Sequence, residues 1–228
     1  MKTISNILLL SIAACGLAFA QGKPKSGAAG FVRIVNAIPQ GAGKAAFAIN
    51  GRDLFADGYA LGQTTGEHGV KAGELVITVR KTGVETGRLN VKLGAGETIT
   101  VIAFAEPVPQ KELSDPPKWA VKLLRVNQQD EAKGFALSLI SVCKPDETTV
   151  EILALEKNKG EKAFAKRLAV TKVDLGGNRD EIFVKSGDRT LTTVSPDAPG
   201  NYVVILYEDQ EGRTEALTYY DPKFVITG

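Results

Sequence analysis

The chain has 228 residues, 43% hydrophobic and 24% charged, a composition that excludes a disordered or membrane-embedded polypeptide. Lysine and arginine number 28 against 26 aspartates and glutamates, a formal charge of +2. No field of one sign exists to attract nucleic acid or anionic lipid, so a nucleic-acid partner is not expected.

Residues 1–20 read as a cleaved export signal. Lys2 supplies the positive end, residues 4–18 the apolar run, and Ala18-Phe19-Ala20 a small-x-small cleavage site before Gln21. The apolar run is shorter than the about 20 residues that span a bilayer, so no transmembrane segment is expected in the mature chain. Its destination is then the periplasm or the extracellular space. Ile12-Ala13-Ala14-Cys15 resembles a lipoprotein box and leaves a second outcome open, a surface lipoprotein anchored at Cys15. Cleavage after Ala20 leaves Cys143 as the one cysteine, without a partner for a disulfide. At the end of an apolar run it reads as a small buried hydrophobe. Residues 21–29 are Gln21 followed by glycine, lysine, proline, serine and alanine, a flexible leader.

Residues 31–55, FVRIVNAIPQGAGKAAFAINGRDLF, predict a buried strand, a Pro/Gly corner, a second short strand and a tight turn at Asn50-Gly51. Leu75, Ile77 and Val79 then alternate with Val76, Thr78 and Arg80. Leu89, Val91 and Leu93 form a second alternating set, and Ile99, Val101 and Ala103 a third. Period two with β-branched residues is the pattern of half-buried strands. The short glycine-bearing connections at 81–87 and 94–96 predict hairpins, and hence largely antiparallel sheets. Residues 106–118, EPVPQKELSDPPK, carry four prolines and predict a long loop inside the first module. Residues 120–126 close that module, and the polar stretch 127–133 follows.

The layout then returns. Residues 137–145 (LSLISVCKP) stand where 31–39 stood, and 200–207 (GNYVVILY) where 96–103 stood. Residues 160–171 parallel 51–62, with Phe164 at the place of Phe55. The expected fold is all-β: two tandem antiparallel β-sandwiches, immunoglobulin-like or transthyretin-like, after the signal peptide. The first spans 30–127, and the second, a divergent copy, spans 134–228.

Residues of catalytic type are sparse. His68, the single histidine, lies in a TTGEHG turn without a Gly-x-Ser-x-Gly elbow and reads as solvated. One histidine and one mature cysteine do not make a zinc site. The 174–180 segment, DLGGNRD, reads as a hairpin turn before a calcium loop, and Gly41-Ala42-Gly43-Lys44 as a corner before a phosphate loop. No catalytic residue, metal or cofactor is assigned. The candidate ligand or partner contacts are aromatic: Trp119, Tyr219 and Tyr220. Trp119 follows the proline loop, where its ring can be exposed, cap the first core or fill the seam between modules. Tyr219 and Tyr220 are neighbours on a strand, so at least one points away from its module's core.

Arg33-Ile34-Val35-Asn36-Ala37-Ile38-Pro39, Asn50-Gly51 and residues 96–101 together resemble a mostly uncharacterised bacterial family of secreted β-sandwich repeats. That family opens on an R-V-V-N/H-A-S-P strand. The resemblance implies a fold and carries no catalytic residue; in the second copy Val142-Cys143 stands where Asn-Ala is expected. The strand at 31–37 and the tandem layout are also similar to the periplasmic accessory protein of alginate O-acetylation, which implies docking to acetyltransferase components. The expected function is an exported, non-catalytic binding or scaffolding protein of the bacterial envelope, its partner an envelope protein or polysaccharide. The alternative is an envelope hydrolase or acyl-transfer component.

Overall fold

The computed structural model describes residues 28–110, 112, 116–129, 134–154, 160–176 and 180–222. The expected export signal, the alternative lipoprotein box at Cys15 and the expected leader up to residue 27 lie outside the described residues. Among the described residues there are sixteen strands and no helix, so no helix is long and apolar enough to cross a membrane.

The first half contains β1 (Ala29–Ala37), β2 (Ala42–Ile49), β3 (Arg52–Asp53), β4 (His68–Lys71), β5 (Gly73–Thr82), β6 (Val84–Leu93), β7 (Thr98–Val108) and β8 (Lys118–Asn127). They form one sheet in the order β3-β2-β5-β6-β8-β7-β1-β4. The sheet folds over at the β6–β8 junction, where only Glu85 and Ala120 pair. Gly87 permits the close approach there, since a Cβ on it would lie 2.6 Å from a methyl of Val121. The two arms enclose one apolar core, with Phe47, Ile77 and Leu93 from one arm and Val32, Ile34 and Val101 from the other.

The second half contains β9 (Phe135–Ser141), β10 (Glu147–Ala154), β11 (Glu161–Lys166), β12 (Val170–Gly176), β13 (Ile182–Ser186), β14 (Arg189–Val194), β15 (Gly200–Glu208) and β16 (Thr214–Asp221). Its two sheets run β11-β10-β13-β14 and β12-β9-β15-β16, the strand orders of the first half's arms. They enclose a core that includes Leu137, Leu139, Val150, Ile182 and Val204.

Most strand pairs among the described residues are antiparallel, as expected, but the two long central pairs are not. β1 pairs with β7 and β9 with β15 in parallel, with Ile34 opposite Val101 and Leu139 opposite Val204. Each pair is separated in sequence by five intervening strands, so no hairpin constrains its direction. Residues 94–96 are not a hairpin turn but the passage from one arm to the other. The 81–87 turn shrinks to Gly83, flanked directly by β5 and β6. The proline loop begins later than expected, because Pro107 and Val108 still pair with Trp119 and Lys118. Pairing with β1 ends at Phe104, so Pro107 sits where β7 has a neighbour on one side only and a missing N–H is tolerated.

The correspondence of the two halves is also shifted by one residue. Ser141, not Val142, occupies the place of Asn36. The Asn36 side-chain oxygen accepts from the Ile38 amide at 3.1 Å, and the Ser141 hydroxyl accepts from the Cys143 amide at 3.3 Å. Val32, Ile34 and Ile38 face their core as Leu137, Leu139 and Cys143 face theirs. A slip of one residue on a strand exchanges its faces, which is why burial decides the alignment and motif matching does not.

A third apolar cluster joins the halves. Val35, Ala37, Ile102 and Phe104 meet Ile140, Val142, Val203, Ile205 and Tyr207, with partly buried Leu61, Leu124, Leu168 and Tyr219 around them. The β1–β7 and β9–β15 pairs are therefore covered on both faces. That accounts for the nearly unbroken apolar runs in these four strands, where a one-sided sheet would alternate.

Candidate functional site

The four doubly covered strands end together. Around the ends of β1, β7, β9 and β15 the seam opens into a cavity of about 430 Å³. Its two walls differ chemically. The first half contributes Ala37, Pro39, Phe104, Ala105 and Pro107, which are apolar, with Glu106 at the edge. The second half contributes Val142 and three charged side chains, Lys144, Arg167 and Glu208.

Arg167 spans the cavity. Its Nε donates to the Cys143 carbonyl at 2.9 Å, its Nη2 donates to Glu106 Oε1 at 2.8 Å, and its guanidinium carbon lies 5.7 Å from the Phe104 ring centre. Leu168, the next residue, has φ +58°, a left-handed backbone rarely held by a branched side chain. This bend joins Arg167 at the cavity to Leu168 in the seam, and the Leu168 amide bonds the Ser141 carbonyl at 2.8 Å. Lys144 Nζ lies 3.6 Å from Glu208 Oε2 and 5.5 Å from the centre of the Trp119 ring. The Lys144 amide also donates to Glu208 Oε1 at 3.2 Å. Gln40 lines the cavity on the other side, and its Oε1 is buried with no hydrogen-bond partner among the described residues.

The far end of the seam is closed by a buried ionic clasp. Arg33 lies between Glu67 of its own half, at 2.5 Å, and Asp221 of the other, at 3.3 Å; their side chains are 6%, 15% and 6% exposed. Its guanidinium stacks 3.8 Å from the Tyr219 ring centre, while the Tyr219 hydroxyl donates to Thr100 at 3.0 Å. Gln128 donates to the Pro222 carbonyl at 2.6 Å across the same seam. Burial raises both acids above the usual carboxylate range, against the opposing pull of Arg33. Burial likewise raises the Tyr219 phenol. Thr98 and Ser138 line a narrow void here, and their hydroxyl oxygens are buried with no partner among the described residues.

The three aromatic candidates occupy three places. Trp119, half-buried on β8, stands beside the open end of the seam under Lys144. Tyr219 belongs to the clasp at the opposite end. Tyr220, 37% exposed, packs 5.0 Å from Tyr202 and donates to the Pro199 carbonyl at 2.9 Å. The structure does not bring them together.

His68 is exposed on the edge strand β4. Cys143 is buried in the second core, and burial raises its thiol. Asp174 lies on β12, while 177–179 lie outside the described residues. Among the described residues no three histidine, cysteine or acidic side chains group as metal ligands. Sequence reasoning missed both charged constellations. Arg33 carried a signal, a charge inside the apolar run FVRIVNA. Arg167, Lys144, Glu106 and Glu208 sit in unremarkable polar contexts and carried none. No protein-family model matches the chain, and no curated protein matches it.

Proposed function

We propose that this chain is an exported, non-catalytic binding and scaffolding protein of the bacterial envelope, serving as an accessory in polysaccharide modification or export. In this reading residues 30–127 and 134–228 are tandem sandwiches of one duplicated design. The parallel central pairs favour the transthyretin-like form over the wholly antiparallel immunoglobulin-like one. The observation that carries the function is the cavity at the open end of the seam, built from both halves and flanked by Trp119. A concave site with an apolar wall and a few placed polar groups, on rigid strands, is the usual form of a binding site. Its lining residues include neither serine nor histidine, which supports binding over acyl transfer.

Crosslinked affinity capture from the native envelope tests the proposal, with the tagged mature protein as bait. A specific envelope protein or polysaccharide is expected with the wild type and is lost with Lys144→Glu. Capture indifferent to Lys144→Glu would move the contact elsewhere on the molecule. The intact mass of the mature chain separates cleavage before Gln21 from lipidation at Cys15.

A further inference from the structure

We infer that the cavity at the open end of the seam takes one or two units of an uncharged saccharide, an assignment that rests on the binding reading above. The ligand class follows from the two walls. One is apolar, built from Ala37, Pro39, Phe104 and Pro107; the other is polar, built from Lys144, Arg167 and Glu208 with Glu106. A pyranose has the matching division, a face of C–H groups and a rim of hydroxyls that both donate and accept.

Charge selects the same class. The lining holds two cations and two carboxylates, and each cation already has a carboxylate partner. A free anion would have to displace Glu106 from Arg167 or Glu208 from Lys144, and a free cation would meet the reverse cost. Hydroxyls need neither displacement. They donate to the remaining lone pairs of the carboxylates and accept from the ammonium and guanidinium protons left over, which are charge-assisted bonds. The volume, about 430 Å³, lies within the range of small-molecule sites. Trp119 stands beside the cavity under Lys144, where a further sugar ring extending outward can lie against the indole.

Equivalent positions in the two halves sharpen the point. The shifted alignment sets Pro39 opposite Lys144, and the paired registers set Ala105 opposite Glu208. At both places the first half is apolar and the second charged, so the amphipathic cavity arises from divergence between the halves.

Trp119 is the single tryptophan, so its fluorescence reports on the site without labelling. The mature protein is titrated with neutral gluco-oligosaccharides and N-acetylglucosamine oligomers, and with a uronic-acid oligomer as the anionic comparison. The expected result is a saturable fluorescence change with a neutral oligomer. Its affinity stays constant as salt is raised through the range where the Debye length falls from about 10 Å to about 3 Å. Arg167→Gln and the more exposed Lys144→Gln each weaken it at least tenfold, while Tyr220→Phe, outside the cavity, leaves it unchanged.

Lys144→Gln guards against loss of fold, since its side chain is 59% exposed. No saturable response to any neutral oligomer overturns the assignment, as does binding of the uronate alone or affinity indifferent to both cavity variants. If neutral sugars fail while capture still recovers a protein partner dependent on Lys144, the saccharide assignment falls and the binding reading stands.

Discussion

Arg33 illustrates how much one side chain carries. It is buried against two carboxylates and the face of Tyr219, and removing it leaves Glu67 and Asp221 buried without their cation. Arg33→Met is expected to cost about 3–5 kcal/mol in urea denaturation. Asp221→Asn is expected to cost less, because Arg33 keeps Glu67. The pH dependence has a definite sign. The folded-state pKa of Asp221 is raised from 3.8, so between 3.8 and the raised value the folded chain holds a proton that the unfolded chain has released. Stability from this group is then largest in acid and falls as pH rises through that window. The stability of Asp221→Asn relative to wild type should therefore rise with pH across it; a falling difference in paired thermal melts would refute the sign. Ser138→Ala and Thr98→Val each remove a buried hydroxyl with no partner among the described residues. Both are expected to leave Tm unchanged or raise it, since an unsatisfied buried polar group costs about 1–3 kcal/mol.

At the scale of elements, glycines act where strands and loops approach closely. Gly62 has φ +79°, and a Cβ on it would collide with the Tyr207 hydroxyl across the seam. Gly62→Ala combines backbone strain with that collision, and a loss of more than about 1 kcal/mol is expected from chemical denaturation. Gly51→Ala is the comparison: φ is +80° but nothing lies within 4 Å, so only the backbone cost remains. An equal loss in the two variants would remove the seam contact from the account. The edge strand β11 carries charges on its exposed face. On β11 the half-exposed Phe164 lies between Lys162 and Lys166 on the same face, charges that hinder edge-to-edge association.

On the scale of the whole molecule, the seam joins the two halves through a shared buried cluster. Ile102, Phe104, Val203 and Ile205 are buried only because the halves meet. A single cooperative transition is expected in calorimetry, and Ile102→Ala should lower its midpoint as one event, by a destabilisation of about 2–5 kcal/mol. Two resolved transitions would mean that the halves unfold independently. The same joint organises the cavity, since most of its apolar wall belongs to the first half and most of its charged wall to the second, with Glu106 of the first half pairing to Arg167 of the second.

The β character was legible in the alternation of Leu75, Ile77 and Val79 and in the Asn50-Gly51 turn, whose φ values of +51° and +80° suit that pair of residues. These are local properties, dictated by side-chain period and backbone sterics. The unbroken apolar runs at 101–105 and 202–207 also held information, because only strands covered on both faces need it, but a run does not name what covers it. The parallel direction of β1–β7 and β9–β15, the one-residue shift between the halves and the meeting of Arg167 with Glu106 were not legible. Each depends on contacts between residues far apart in the chain, and no local pattern encodes which distant partner completes a charge or a wall. The sequence by itself determined the strands and their buried faces. Only the tertiary structure decided that two sets of such faces close on each other, because that outcome rests on the shape and burial of whole sheets.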